Sequence, residues 1–141
     1  MKEENSRSFD ELVVGDKAAV EKTVTEQDVK LFAEVSGDYN PVHVDENFAQ
    51  KTRFKQRIAH GMLAASLVSR VIGTKLPGPG TIYLSQTLNF KAPVYFGDTV
   101  SAEVEITEKI DGKNLVKLKT VCSNQTGTVV LEGEAVVLFG K

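Results

Sequence analysis

Apolar and polar positions alternate along the chain with two different periods, which divide it into a mixed front half and a strand-rich back half with no linker between them. Residues 17–24 read as a first strand. Thr25-Glu26-Gln27-Asp28 then predicts a helix start, with the Thr25 hydroxyl as cap and acidic side chains in the first turn. Val29, Phe32, Ala33 and Ser36 fall on one face of that helix. It should end near Gly37, because glycine tolerates a left-handed conformation, while Pro41 lacks an amide donor and pushes Asn40 out of the helical region. Asp45 predicts the cap of a further turn through Glu46-Asn47-Phe48-Ala49, after which residues 51–57 run irregularly. From Gly61 to Gly73 the only charged side chain is Arg70, and apolar or small residues occupy every face. That pattern predicts a helix wrapped by other structure. It falls short of the ~20 apolar residues that a bilayer core requires.

The back half reads almost entirely as β. Residues 82–91, 99–109, 115–124 and 128–139 are rich in Val, Thr, Ile and Leu. Ala92-Pro93, Phe96-Gly97-Asp98, Asp111-Gly112-Lys113-Asn114 and Gln125-Thr126-Gly127 separate them, so neighbouring segments should pair antiparallel. Val14-Gly15-Asp16 and Phe96-Gly97-Asp98 echo each other, each introducing a strand, which indicates shared turn chemistry and no duplicated domain. A long helix with about five antiparallel strands is an α+β architecture. The economical packing is a curved antiparallel sheet wrapped around the long central helix, the hotdog arrangement.

Composition narrows the function classes. At 141 residues and 41% hydrophobic content the chain suits a single domain, residues 1–141, with one core. A net charge of −2 and a pI near 5.7 give no global basis for binding nucleic acid or an anionic membrane. The single cysteine, Cys122, cannot form an internal disulfide and sits in a strand-like run as a small core residue. Residues 1–9 show no apolar stretch for secretion and are too acidic for a transit peptide, so a cytoplasmic location is expected.

The candidate chemistry lies in Val35-Ser36-Gly37-Asp38-Tyr39-Asn40-Pro41-Val42-His43, which sets a carboxylate and an imidazole five residues apart on a segment that regular helix cannot span. Held rigidly, Asp38 and His43 could orient one water and take its proton near neutral pH. The same run is also a set of turn formers whose Asp and Asn side chains bond nearby backbone, and Asn40 suits that organising role. Close downstream, the start of the long helix offers unpaired amides and a positive dipole end. Gly61, with no side chain to block approach, is a candidate to receive a developing oxyanion, or else a plain helix-start glycine that allows tight packing. His60, just before that helix, suits a structural hydrogen-bond donor more than a catalyst.

Ser36-Gly37-Asp38-Tyr39-Asn40-Pro41-Val42-His43, followed by Ala59-His60-Gly61-Met62, resembles the signature of the MaoC-like R-specific enoyl-CoA hydratases, or hydratase 2 family. The similarity extends through Leu76-Pro77-Gly78, Tyr83-Leu84, Leu88-Asn89-Phe90-Lys91-Ala92-Pro93-Val94 and Gly97-Asp98-Thr99-Val100 to Gly133-Glu134-Ala135, nearly the whole chain in family order. The resemblance implies reversible syn addition of water to a trans-2-enoyl-CoA thioester, giving the (R)-3-hydroxyacyl-CoA. It casts Asp38 and His43 as the pair that holds and deprotonates water and Gly61 as the amide that receives the thioester oxygen. No metal and no cofactor beyond the coenzyme A of the substrate is implied. Ser69, eight residues after Gly61 and so roughly on the same helical face, is a candidate to bond the carboxylate or the water, or a small residue for close packing.

Substrate binding leaves fainter traces. Lys51, Arg53, Lys55 and Arg57 alternate with uncharged residues and, if extended, would present one basic edge to the phosphates of coenzyme A; a solvated surface loop is the competing reading. Phe48, Phe54 and Ile72 are candidate walls for an acyl chain or ordinary core. The alternatives are a 3-hydroxyacyl dehydratase acting on an acyl carrier protein, a thioesterase on the same fold, and a non-catalytic acyl-thioester binding module. Hotdog domains usually pair edge to edge, so a homodimer is expected. Supply of (R)-3-hydroxyacyl-CoA to polyhydroxyalkanoate synthesis is one physiological use consistent with the resemblance, and fatty-acid degradation is another.

Overall fold

The computed structural model describes residues 7–140; residues 1–6, read above as lacking an apolar leader, lie outside the described residues, as does residue 141. A 3-10 turn at Phe9–Glu11 leads into β1 (Lys17–Thr23), followed by α1 (Glu26–Ser36) and two short helices, α2 (Pro41–Val44) and α3 (Glu46–Gln50). The long helix α4 (Gly61–Thr74) then precedes β2 (Ile82–Gln86), β3 (Asn89–Phe90), β4 (Thr99–Ile110), β5 (Leu115–Ser123) and β6 (Val129–Leu138). All pairings are antiparallel, in the order β1-β4-β5-β6-β2, with β3 also against β6.

Local chemistry accounts for the element ends. Thr25 and Asp28 form a capping box: the Thr25 hydroxyl accepts from the Asp28 amide at 3.1 Å, and the Asp28 carboxylate accepts from the Thr25 amide at 2.9 Å. α1 stops where Gly37 turns left-handed, at φ 76°. The two Gly-Asp turns are chemical copies. Asp16 accepts from the Val13 amide at 3.0 Å and Asp98 from the Tyr95 amide at 2.9 Å, with Gly15 and Gly97 at φ 99° and 95°. Hydrogen bonds from Gly15 to Ile106 and from Gly97 to Val24 tie these turns to opposite ends of the β1–β4 ladder.

The inner face of the sheet follows the two-residue period of extended chain: Val100, Ala102, Val104 and Ile106 on β4, and Val116, Leu118, Thr120 and Cys122 on β5, are all buried. They meet Leu63, Ala64, Leu67, Val68, Val71 and Ile72 of α4, which lies against β1, β4 and β5. Burying each larger aliphatic side chain contributes roughly 1.5–3 kcal/mol. Cys122 is the free, buried core residue the sequence predicts, and burial pushes its thiol up to about 12. Among the described residues no helix is long and apolar enough to cross a membrane.

Three expectations need correction. First, α4 is not enclosed on every face; Met62, Ser66, Ser69, Arg70 and Gly73 are exposed, because the sheet curves over one side only. Second, residues 82–91 do not form one strand. The chain breaks between β2 and β3, where Thr87 substitutes its hydroxyl for a ladder acceptor and takes the Glu134 amide at 2.9 Å. The Thr87 carbonyl crosses directly over Gly133, where a Cβ would lie 1.8 Å from it. Third, residues 35–43 are not wholly irregular. Pro41, with its fixed φ and missing donor, occupies the first position of α2, and Asn40 caps it by accepting from the Val42 amide at 3.2 Å, so His43 rides on one helical turn.

Candidate active site

The segment joining α1 to α2 is held by a chain of short-range bonds. The Ser36 hydroxyl donates to the Phe32 carbonyl at 2.7 Å and accepts from the Asp38 amide at 3.1 Å. Asp38 Oδ1 accepts from the Asn40 amide at 3.1 Å, and Asn40 continues the series to Val42. The turn-forming and catalytic readings of this run are therefore compatible. One Asp38 carboxylate oxygen closes a turn, while the other has no protein partner among the described residues, on an exposed side chain.

Two histidines pack beneath it. His43 is 8% and His60 2% exposed, their rings stack with centroids 4.0 Å apart at 30°, and Phe32 of α1 covers His60 at 4.8 Å. The hydrogen bonds fix both tautomers. His43 Nδ1 lies 2.7 Å from the Ile58 carbonyl, which can only accept, so Nδ1 carries the proton and Nε2 keeps its lone pair. His60 Nε2 donates to the Asp38 carbonyl at 2.9 Å, leaving Nδ1 as a buried atom without a partner. Burial holds the His43 imidazole below its ordinary 6.5; the Ile58 bond and the Asp38 carboxylate oppose that shift, and His60 reinforces it. The result is a neutral imidazole at physiological pH with a bare Nε2.

Gly61 opens α4, so its amide has no intrahelical acceptor and lies at the positive end of a 14-residue helix. His43 and Gly61 line the same pocket, of about 440 Å³, whose remaining walls are mostly apolar: Phe54, Ile58, Met62, Phe90, Val94 and Leu131 among them. A Cβ at position 61 would come within 2.7 Å of the Phe90 ring, so a glycine is required for the ring to approach the helix end. Arg53 and Lys91 line the pocket and are exposed, placing two cations where it meets solvent. A base, an amide donor and an apolar recess thus face one space.

Asp38, His43 and His60 also form a group that could be read as a metal site, with their donor atoms within 4.8 Å of one another. The geometry does not suit it. Imidazole lone pairs lie in the ring plane, and two ring planes stacked 4.0 Å apart at 30° converge poorly on one ion that both would have to meet at about 2.1 Å.

Asp38 and His43 lie side by side, with donor atoms within 4.8 Å, and His43, Gly61 and Arg53 line the pocket; Asp38 and Asn40 are not among its lining residues, and the other candidates lie apart. Ser69 is exposed on α4 and Ile72 is fully in the core; neither lines the pocket. The basic edge does not form, because residues 51–56 fold into turns through Thr52, whose hydroxyl donates to the Ala49 carbonyl and whose carbonyl accepts from Lys55. Lys55 sits at φ 64° outside the pocket. Arg57 is occupied by Glu26 at 2.9 Å and Glu46 at 3.0 Å and lies over the Phe96 ring, so it is a structural cation. Phe54 is a wall, whereas Phe48 is half exposed elsewhere. Sequence reasoning missed Lys91, Phe90 and Met62 as lining residues. The Asn89-Phe90-Lys91 run marks a strand, and only its pairing with Leu131 and Glu132 of β6 shows what it faces.

The chain is similar to known proteins along most of its length. The model of the MaoC like domain matches residues 13–127. The chain is 52% identical over 130 residues to the (R)-specific enoyl-CoA hydratase of Rhodospirillum rubrum, covering 92% of this chain and 90% of that protein. It is 47% identical to the (R)-specific enoyl-CoA hydratase of Aeromonas caviae, over 92% and 97% of the two chains. Among solved structures, the unliganded R-hydratase PhaJ1 of Pseudomonas aeruginosa superposes with a TM-score of 0.90 at 50% identity, covering 95% of this chain and 86% of that one. With the hotdog architecture, the Asp38/His43 pair and the open helix end all in place, the chain belongs to the MaoC-like family.

Proposed function

We propose that the protein is an R-specific enoyl-CoA hydratase that adds water reversibly to trans-2-enoyl-CoA to give (R)-3-hydroxyacyl-CoA. The observation that carries this reading is His43: its Nδ1 is committed to the Ile58 carbonyl, and its bare Nε2 belongs to a ring that lines the same pocket as the Gly61 amide. Asp38 and His43 hold one water, and Nε2 accepts its proton as the oxygen attacks C3. The electron pair displaced from the double bond passes to the thioester oxygen, which gains enolate character and accepts a hydrogen bond from the Gly61 amide. The proton now held by the dyad is then delivered to C2 from the same face, which returns His43 to its neutral form. Atoms and charge balance with water alone, so the step calls for no metal and no redox cofactor.

The apolar pocket suits the acyl chain, and Arg53 and Lys91 suit the phosphates of coenzyme A. For assembly, the reading includes a homodimer. β2 is one of the two edge strands of the sheet, and Ile82, Tyr83 and Leu84 on it, with Phe90 on β3, are exposed apolar side chains along that side. Loss of enoyl-thioester absorbance with crotonyl-CoA, with the carrier-protein thioester run beside it, tests the function. Hydration supports the reading, and faster turnover on the carrier protein would move it to a dehydratase of that carrier. Release of free coenzyme A without hydration would replace it with a thioesterase.

A further inference from the structure

We propose that His60 is a positioning residue for this reaction, an imidazole whose Nε2–H clamps the Asp38 carbonyl while its ring supports the face of His43, so that one side chain sets both members of the dyad. The inference rests on the hydratase reading above. Its basis is the wiring of the loop. Every other hydrogen bond that fixes Asp38 is local: Ser36, Asn40 and the glycine turn lie within two residues of it. Such bonds shape the turn but cannot place it relative to Gly61. The His60 bond, spanning 22 residues at 2.9 Å, is the one contact from a distant element that reaches Asp38 among the described residues. His60 is also the N-cap residue of α4, adjacent to the Gly61 amide. The clamp therefore registers the carboxylate directly against the oxyanion donor.

The same ring faces His43 at 4.0 Å, with Phe32 at 4.8 Å, so His60 is held in a layer between α1 and the catalytic imidazole. His43 is anchored independently through Ile58, two residues before His60, and Ala59 between them is fixed to Val94 at 2.8 Å. The short run 58–60 thus supplies an acceptor for one dyad member and a donor for the other. The side-chain inventory explains why histidine stands here. The position needs a donor on a flat ring thin enough to stack between Phe32 and His43. His60 touches neither water nor substrate in this account, so it positions and does not catalyse.

Two variants separate the parts of the clamp. His60→Gln keeps an N–H donor but no ring, and His60→Phe keeps the ring but no donor. With crotonyl-CoA, His60→Phe should lower kcat about 10- to 100-fold with KM within about twofold, the scale of a misplaced catalytic group, while His60→Gln, which loses the ring but keeps the donor, should lose several-fold less than His60→Phe. Equal activity of the two variants, or a His60→Gln loss as large as that of His60→Phe, would overturn the clamp. A wild-type protein inactive in this assay would instead count against the hydratase reading. The clamp is then decided without turnover, as it is if His60→Phe fails to fold. The chain has two histidines, so ¹⁵N imidazole spectra of tag-free protein at neutral pH resolve both rings. The expected result is opposite tautomers, Nδ1–H on His43 and Nε2–H on His60; the same tautomer on both would overturn the proposal.

Discussion

In the proposed reaction Asp38 and His43 divide the work of one base between two environments. The carboxylate is exposed and shaped by its own turn, whereas the imidazole is buried, locked in one tautomer and held below its ordinary value by that burial. Since the reaction needs His43 neutral, and lowering its value extends the neutral form toward acid, the acid limb of kcat/KM for hydration should fall below pH 6.5, with no loss between 6.5 and 7.5. A limb centred above 6.5 would contradict the assignment. Asp38→Asn and His43→Ala should each lower turnover by at least ~100-fold while leaving the melting temperature close to the parent value. Lys91→Ala should raise KM about tenfold for crotonyl-CoA, the worth of one hydrogen bond to a charged group, and far less for a short thioester lacking phosphates. At this scale the nearness of Asp38 and His43, the capping by Asn40 and the place of Gly61 at the helix start were legible in the sequence, because proline, glycine and Asx chemistry make their geometry local. Ser69, Ile72, Lys55 and Arg57 were not. Their roles depend on what lies opposite them, and alternation or helical spacing does not reveal that Glu26 and Glu46 capture Arg57 or that the sheet covers Ile72 and leaves Ser69 open.

α1 and the β2–β6 pairing show which elements rest on local signals and which on distant ones. The capping box makes α1 self-contained at its start, so Thr25→Ala should cost about 1 kcal/mol, read by chemical denaturation, with activity at saturating substrate nearly intact. Gly133→Ala should do far more harm. The added methyl would collide with the Thr87 backbone, which cannot move without abandoning its two hydrogen bonds to Glu134, so a loss of about 3 kcal/mol or more is expected. Near-parental stability would mean that the crossing is less tight than the geometry indicates. The same crossing explains why residues 82–91 read as one strand: their composition is uniformly strand-like, and the interruption is set by a glycine on β6. α2 escaped notice for a related reason. A single helical turn carries no periodic signal, although Asn40 and Pro41 form a cap and first position that would mark a longer helix.

Over the whole molecule, the curved sheet around one long helix was legible because amphipathic period and turn chemistry agree along most of the chain. The open side of α4 was not, since a sequence uniform in small and apolar residues says nothing about how far a sheet extends. That open side and the β2 edge suit a second copy, and light scattering at micromolar concentration should report a dimer; a monomer would leave Ile82 and Leu84 unexplained. The central claim, however, is chemical: one face carries the base, the water and the proton that C2 receives. Hydration of crotonyl-CoA in heavy water, with the product resolved by chirality and its C2 deuterium located, tests it most directly when Asp38→Asn is assayed in parallel. The account predicts (R)-3-hydroxybutyryl-CoA with deuterium and hydroxyl added to the same face, and turnover all but lost in the variant. An S product, anti addition, or a variant as active as its parent would contradict it.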